Sequence, residues 1–312
     1  MREWEAAQYT NAVATPFQRR RDSVSGPLLI TSPPNEIRGV TTSALPSNGP
    51  THRLATAGVA FGSLLLLGLL VLPVGALVLR GGADGIRQLG SDPELRASLA
   101  LTTLTASAAT LITVLLGTPL AWLLARGRMP GATVVSALLD LPLLIPHPVA
   151  GIALLLAFGR ASPVGGALER AGFALAGSPV AIGLAMLFVA APLYVSAARE
   201  AIARVDPRFE AVARTLGDST WNAAWRVTRP LAGRGLLAAA VVMWARAVSE
   251  FGAIVILTYN PKVASVLSYD RFNAFGLDAA LPVAAVLVLL ALVPLLVLRS
   301  RRARPALGEP AR

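Results

Sequence analysis

The chain has 312 residues, of which 54% are hydrophobic and 14% charged, with a formal net charge of +11. Several apolar runs exceed the ~18 residues that mark a membrane helix, so a soluble globular domain is excluded, and the positive charge is read as membrane topology rather than nucleic-acid binding. There is no cysteine, hence no disulfide or thiol chemistry, and the one lysine, Lys262, follows Pro261, so no GxxxxGK[ST] phosphate loop exists and any ATP hydrolysis must come from another polypeptide.

Residues 1–52 are polar, rich in Ser, Thr, Pro and Asn, and aperiodic, which reads as a disordered tail or as sequence ahead of a later true start. Six spans follow, at about 54–79, 97–125, 134–158, 179–198, 236–258 and 281–298. Alternate loops then share a side. One side carries the tail, Arg126, Arg128, the 199–234 insert and the arginines from Arg299 onward; the other carries balanced loops such as Arg80 and Arg87 against Asp84 and Asp92. The positive-inside rule puts both termini and the insert in the cytoplasm. The expected parts are a tail (1–52), a first membrane helix with its outer loop (53–96), a five-helix core (97–298) and a basic cytoplasmic tail (299–312).

The third span is irregular: Pro142, Pro146 and Pro148 each remove an amide donor from it. Broken backbone at membrane depth is tolerated only where protein or a water-filled cavity covers it, and in transporters it often marks the pathway; a simple proline kink in a packing helix explains the prolines equally well. The ionisable side chains within the spans are Asp140, His147, Arg246 and Glu250. Arg246 and Glu250 are four apart, so on one helix they share a face and can pair. They can line a gate, hold two halves of an assembly in register, or form a structural ion pair only. His147 reads more readily as a hydrogen-bonded packing histidine than as a direct ligand.

The insert from Asp206 to Pro230 is charged and helix-forming. Asp206 is a good N-cap and Pro207 suits the first helical position. Phe209, Val212, Ala213 and Leu216 fall on one apolar face, and Gly217 stands where a helix ends in a left-handed residue. Trp221, Ala224, Trp225 and Thr228 give a second short face before Pro230 opens the next span. Two short helices hinged at Gly217 are expected.

These residues resemble the EAA loop of binding-protein-dependent ABC importer permeases, through ArgThrLeuGly at Arg214–Gly217 and the proline thirteen residues later, Pro230. The usual Glu-Ala-Ala triplet aligns with Ala211, Val212 and Ala213, and the glutamate stands one place earlier, at Glu210. The segment IleProHisProValAlaGlyIle, with Pro146, His147, Pro148 and Gly151, looks like that of the molybdate/tungstate permeases. So does the segment Trp244–Ala253, with Arg246, Glu250, Phe251 and Gly252, and so does the last outer loop, Tyr259–Phe272. The resemblance covers about 98–298 and implies an all-α polytopic membrane protein with six transmembrane helices and the type I importer permease (MetI-like) fold. It further implies an oxyanion importer, a non-enzyme with no cofactor of its own, in the cell membrane. ATP and magnesium would bind a partner ATPase dimer docked on the loop. An extracytoplasmic oxyanion-binding protein would meet the outer side, and a second copy of the chain, or a related but different permease, would complete a dimer in the lipid, a symmetric homodimer being the simplest. A sulfate or thiosulfate permease is the alternative. A secondary transporter would show internal repeats and coupling carboxylates, of which Asp140 and Glu250 are the sole candidates. No GxSxG or HExxH supports an intramembrane enzyme.

Overall fold

The computed structural model describes residues 50–302, Ala174 excepted. The membrane fold is built within the compact unit that begins at Ala60. The described elements are helical. They are α1 (Pro50–Ser91), α2 (Pro93–Ala125), α3 (Ala132–Leu144), α4 (His147–Phe158), α5 (Pro163–Arg170), α6 (Pro179–Ala203), α7 (Pro207–Thr215) and α8 (Thr220–Ala223). A π-helical turn, Ala224–Thr228, follows, then α9 (Arg229–Val248), α10 (Gly252–Leu257), α11 (Ala264–Phe275) and α12 (Leu277–Arg302). Helix starts follow local chemistry: Asp92 and Ser178 cap α2 and α6 by accepting from Leu95 N and Ala181 N, and Pro93 and Pro179 occupy first positions where no amide is missed.

Lipid offers helices no hydrophobic reason to associate, so close fit and small residues decide the packing. α2 turns Ser98, Thr102, Ala106, Ala109, Thr113, Gly117 and Ala121 inward. Against them and α9, α6 buries Ile182, Met186, Val189, Tyr194 and Ile202. A Cβ on Gly117 would stand 3.2 Å from both Tyr194 Cδ1 and Val195 Cγ2, so the glycine sets the α2–α6 approach. The buried hydroxyls stay satisfied: Thr102 donates to Ser98 O (2.6 Å), Thr113 to Ala109 O (2.9 Å), and Thr118 and Tyr194 share a hydrogen bond of 2.6 Å. The second half of α1 lies against α12, where a Cβ on Gly81 or Gly85 would meet the carbonyl oxygens of Leu281 and Pro282 at 2.5 Å.

Among the described residues, five helices are long and apolar enough to cross a membrane, and α3 with α4, bent by 116° at their break, make a sixth if counted as one span. The spans differ from the expected ones at their ends. α1 runs on to Ser91, so the residues from Arg80 expected in an outer loop are helical. The third span is not a kinked rod but two helices, because Pro146 and Pro148 withhold amides and Pro146 holds Ile145 before it in extended backbone. The fifth begins at Thr220 rather than Leu236 and stops at Val248, with α10 as a separate helix. The loop after it contains α11, and α12 continues through Arg302, past the expected start of the C-terminal tail. Of the expected N-terminal tail, 1–49 lie outside the described residues, as do 303–312 of the C-terminal one.

α2 carries different partners at its two ends, which its 33 residues hold ~50 Å apart at 1.5 Å per residue. At one end Asp92 and Glu94 pair with Arg271 of α11, and Lys262 pairs with Asp270, which also accepts from Tyr259. At the other end Trp122 and Arg126 hold α7. The insert and the α11 region therefore lie on opposite faces of the bundle. In the cysteine-free chain, Ser219→Cys and Asn273→Cys should react with an impermeant maleimide from opposite sides of sealed vesicles; labelling of both from one side would contradict this topology.

Candidate functional site

Two sites stand out, one at each face. The first is built on α7. Asp206 caps it by accepting from Arg208 N at 2.8 Å. Its end is a Schellman turn: Asp218 N donates to Ala213 O and Gly217 N to Arg214 O, both at 3.1 Å, with Gly217 at φ +100°. The helix presents two faces of opposite character. Phe209, Val212 and Leu216 are 56%, 58% and 83% exposed, an unpartnered apolar stripe, and Ala211 and Arg214 are exposed beside it. Ala213, expected in that stripe, is buried instead, on the inward face with Glu210.

Glu210 is 4% exposed. Its Oε1 accepts from Arg126 Nε (2.9 Å), from Trp122 Nε1 (3.2 Å) and from the Thr228 hydroxyl, while Arg126 Nη2 lies 2.8 Å away as an ion-pair contact. Arg126 also donates to Val205 O at 3.1 Å. The glutamate thus ties α7 to the ends of α2 and of the α8–α9 span, and faces away from the exposed apolar stripe. Burial opposes its ionisation, but hydrogen bonds from Thr228, Trp122 and Arg126, with the Arg126 charge, outweigh that and hold its carboxyl below the ordinary value. Trp122 and Trp221 meet edge-on at 5.9 Å, Trp221 stacks on Trp225 at 6.1 Å, and Arg229 sits 4.4 Å over Trp225. The second short helix of the insert is not separate: it joins the fifth span through the π-helical turn, just before Pro230, which has no amide for the normal ladder. Trp122, Arg126 and Thr228 carry no local pattern that marks them; only their convergence on Glu210 does.

The second site is where the two interrupted spans meet. α9 ends at Val248, so Arg246 and Glu250 do not share one helix, yet they pair at 2.9 Å because the chain turns at Ser249. His147, the first residue of α4, joins them. Arg246 Nη2 lies 2.8 Å from His147 Nε2, and His147 Nδ1 lies 3.3 Å from Glu250 Oε2. Arg246 Nη2 also lies 3.2 Å from His147 Nδ1, so the arginine donor faces the imidazole ring edge while Glu250 stands beside Nδ1. Glu250 Oε1 accepts from Ala253 N at 2.8 Å, capping α10, and Glu250 O accepts from the Ser265 hydroxyl at 2.7 Å. Gly252 lets α10 approach α4, since a Cβ there would meet His147 Cβ at 2.6 Å. Gly151 does the same, its Cβ position being 2.7 Å from Ala253 O. Pro146 caps α4, Pro148 sits in its first turn, and Phe251 packs on Tyr269 at 4.9 Å. The candidate pathway residues thus form one cluster, in which His147 is hydrogen-bonded to Arg246. Asp140 stands apart, exposed on α3.

An all-helical bundle with an interrupted third and fifth span, and a short helix displayed at one face, is the architecture of a polytopic type I importer permease. Residues 117–303 match the model of the binding-protein-dependent transport system inner membrane component family, and the chain belongs to that family. It is 39% identical over 236 residues to a molybdate/tungstate transport system permease protein of Thermococcus kodakarensis, covering 75% of this chain and 90% of the relative. It is 31% identical over 242 residues to a sulfate transport system permease protein of Synechocystis, covering 75% and 85%. In fold it is similar to a chain of the bacterial alginate ABC transporter solved in complex with an alginate-bound periplasmic protein, with a TM-score of 0.61 at 17% identity over 81% of this chain and 95% of that one.

Removing Glu210 strands Arg126, whose side chain is 6% exposed. Glu210→Ala should therefore destabilise the α7 anchorage by about 3–5 kcal/mol, and pairing it with Arg126→Leu should recover part of the loss, as read by denaturation of the purified permease. Because the folded carboxyl ionises below its ordinary value of 4.5, its contribution is complete above that pH and is lost as pH falls further, through the folded value. Proteolysis at the α7 loop should rise over that acid window in the native chain and show no such rise in Glu210→Gln.

Proposed function

We propose that the chain is the membrane subunit of an ABC importer that carries a tetrahedral oxyanion, tungstate or molybdate, into the cytoplasm. The energy comes from a separate ATPase subunit, which binds ATP and magnesium; this chain holds neither. The observation that carries the reading is the apolar stripe of Phe209, Val212 and Leu216 on a capped helix anchored from behind by Glu210. Such a stripe has no reason to face water unless a groove receives it. With one such helix per chain, two copies form a homodimer over an ATPase dimer. The insert and both termini lie on the cytoplasmic side, in keeping with its excess of arginine, and an oxyanion-binding protein meets the α11 side. The oxyanion class rests on the molybdate/tungstate relatives; the 31% identity to a sulfate permease keeps sulfate as the second reading.

The reading is tested in proteoliposomes holding the permease with its ATPase and binding protein. Uptake of tungstate and molybdate should exceed that of sulfate. Val212→Asp places a charge in the centre of the docking stripe and should lower ATPase stimulation at least ~10-fold while leaving the bundle folded, since one buried interface charge costs several kcal/mol. Undiminished stimulation by Val212→Asp would remove the docking role of α7.

A further inference from the structure

Resting on the oxyanion reading, we propose that Arg246 is a contact point for the passing oxyanion, and that Glu250 keeps this contact weak enough for release.

The guanidinium of Arg246 has an inner and an outer part. Nη2 alone makes the inner contacts, to Glu250 Oε2 at 2.9 Å and His147 Nε2 at 2.8 Å. Among the described residues, Nε and Nη1 have no hydrogen-bond partner. They are not buried orphans either, because among the described residues the one buried side-chain nitrogen or oxygen without a hydrogen bond is Arg126 Nη2. The exposures agree: the Arg246 side chain is 25% exposed, that of Glu250 1%. An arginine in the last turn of a membrane span thus offers free N–H donors on its open side while its closed side is clamped.

Two features make this an anion contact and not only a brace. First, it lies where α4 and α10 both begin, the place where helix interruptions expose backbone at depth, and such interruptions occur where they line a cavity or are covered by protein. The cluster sits beneath α11, to which Ser265 ties it, so this is the positive charge an anion arriving from the α11 side would reach inside the span. Second, the charges balance. An unpaired guanidinium in low dielectric would hold a dianion too tightly to let it leave. With Glu250 the pair is neutral, so the open donors still bond an oxyanion oxygen but the net field does not trap it.

A purely structural pair makes different predictions. Glu250→Gln keeps an acceptor for Ala253 N and removes only the charge. Detergent-purified Glu250→Gln permease should bind tungstate about tenfold tighter than the native chain or better, the scale of one charge-assisted hydrogen bond, and should take it up more slowly in the reconstituted importer. Arg246→Lys keeps a cation for Glu250 but lacks Nε and Nη1; it should assemble with the ATPase and lose about tenfold in uptake. Tungstate binding by Glu250→Gln no tighter than native would overturn the contact. If that variant does not assemble, native uptake by Arg246→Lys would overturn it as well. A native importer that hydrolyses ATP yet takes up none of tungstate, molybdate or sulfate would instead overturn the oxyanion reading, and this contact with it.

Discussion

Inside a bilayer no water is at hand to satisfy a backbone amide or carbonyl, and this constraint shapes the whole chain. It makes the described elements helical and obliges every interruption to find cover. The two interruptions at membrane depth, around Ile145–Pro146 and Ser249–Phe251, cover one another. Glu250 supplies the carboxylate that caps α10, Ser265 satisfies its carbonyl, and His147 closes the gap from α4. Gly252 and Gly151 permit the approach because they bring no Cβ into it. A cluster of charged groups in lipid is thereby a consequence of broken backbone as much as a device for handling an anion.

The other face solves a different problem. A short amphipathic helix displayed to a partner must be held rigidly, or force on it would be lost in bending. Glu210 provides the hold by burying a carboxylate among donors from α2 and from the start of the fifth span. A buried ion pair is weak evidence of net stability, but it is highly directional, and removal of either partner is costly. The π-helical turn beside it joins α8 to α9 as one continuous helix, and the Glu210 bonds to Thr228 and Arg126 tie α7 to the start of that helix, across the Gly217 turn, and to the end of α2. Arg246 lies on the same helix, one end of which serves the docking loop and the other the ion cluster.

Sequence alone determined the class of this protein: apolar runs too long for anything but lipid, arginine asymmetry, the Asp206-to-Gly217 helix with its caps, and the resemblance of its motifs to importer permeases. These are local or periodic signals, readable because caps, prolines and hydrophobic runs act over a few residues. The tertiary structure decided which face of α7 is free, turning Ala213 and Glu210 inward, since burial depends on where α2 and α9 end, tens of residues away. It also decided that Arg246 and Glu250 pair across a helix end rather than along a helix, and that His147 belongs with them. No spacing rule joins residues 99 positions apart; only the packing of two broken spans, made close by Gly151 and Gly252, brings them together.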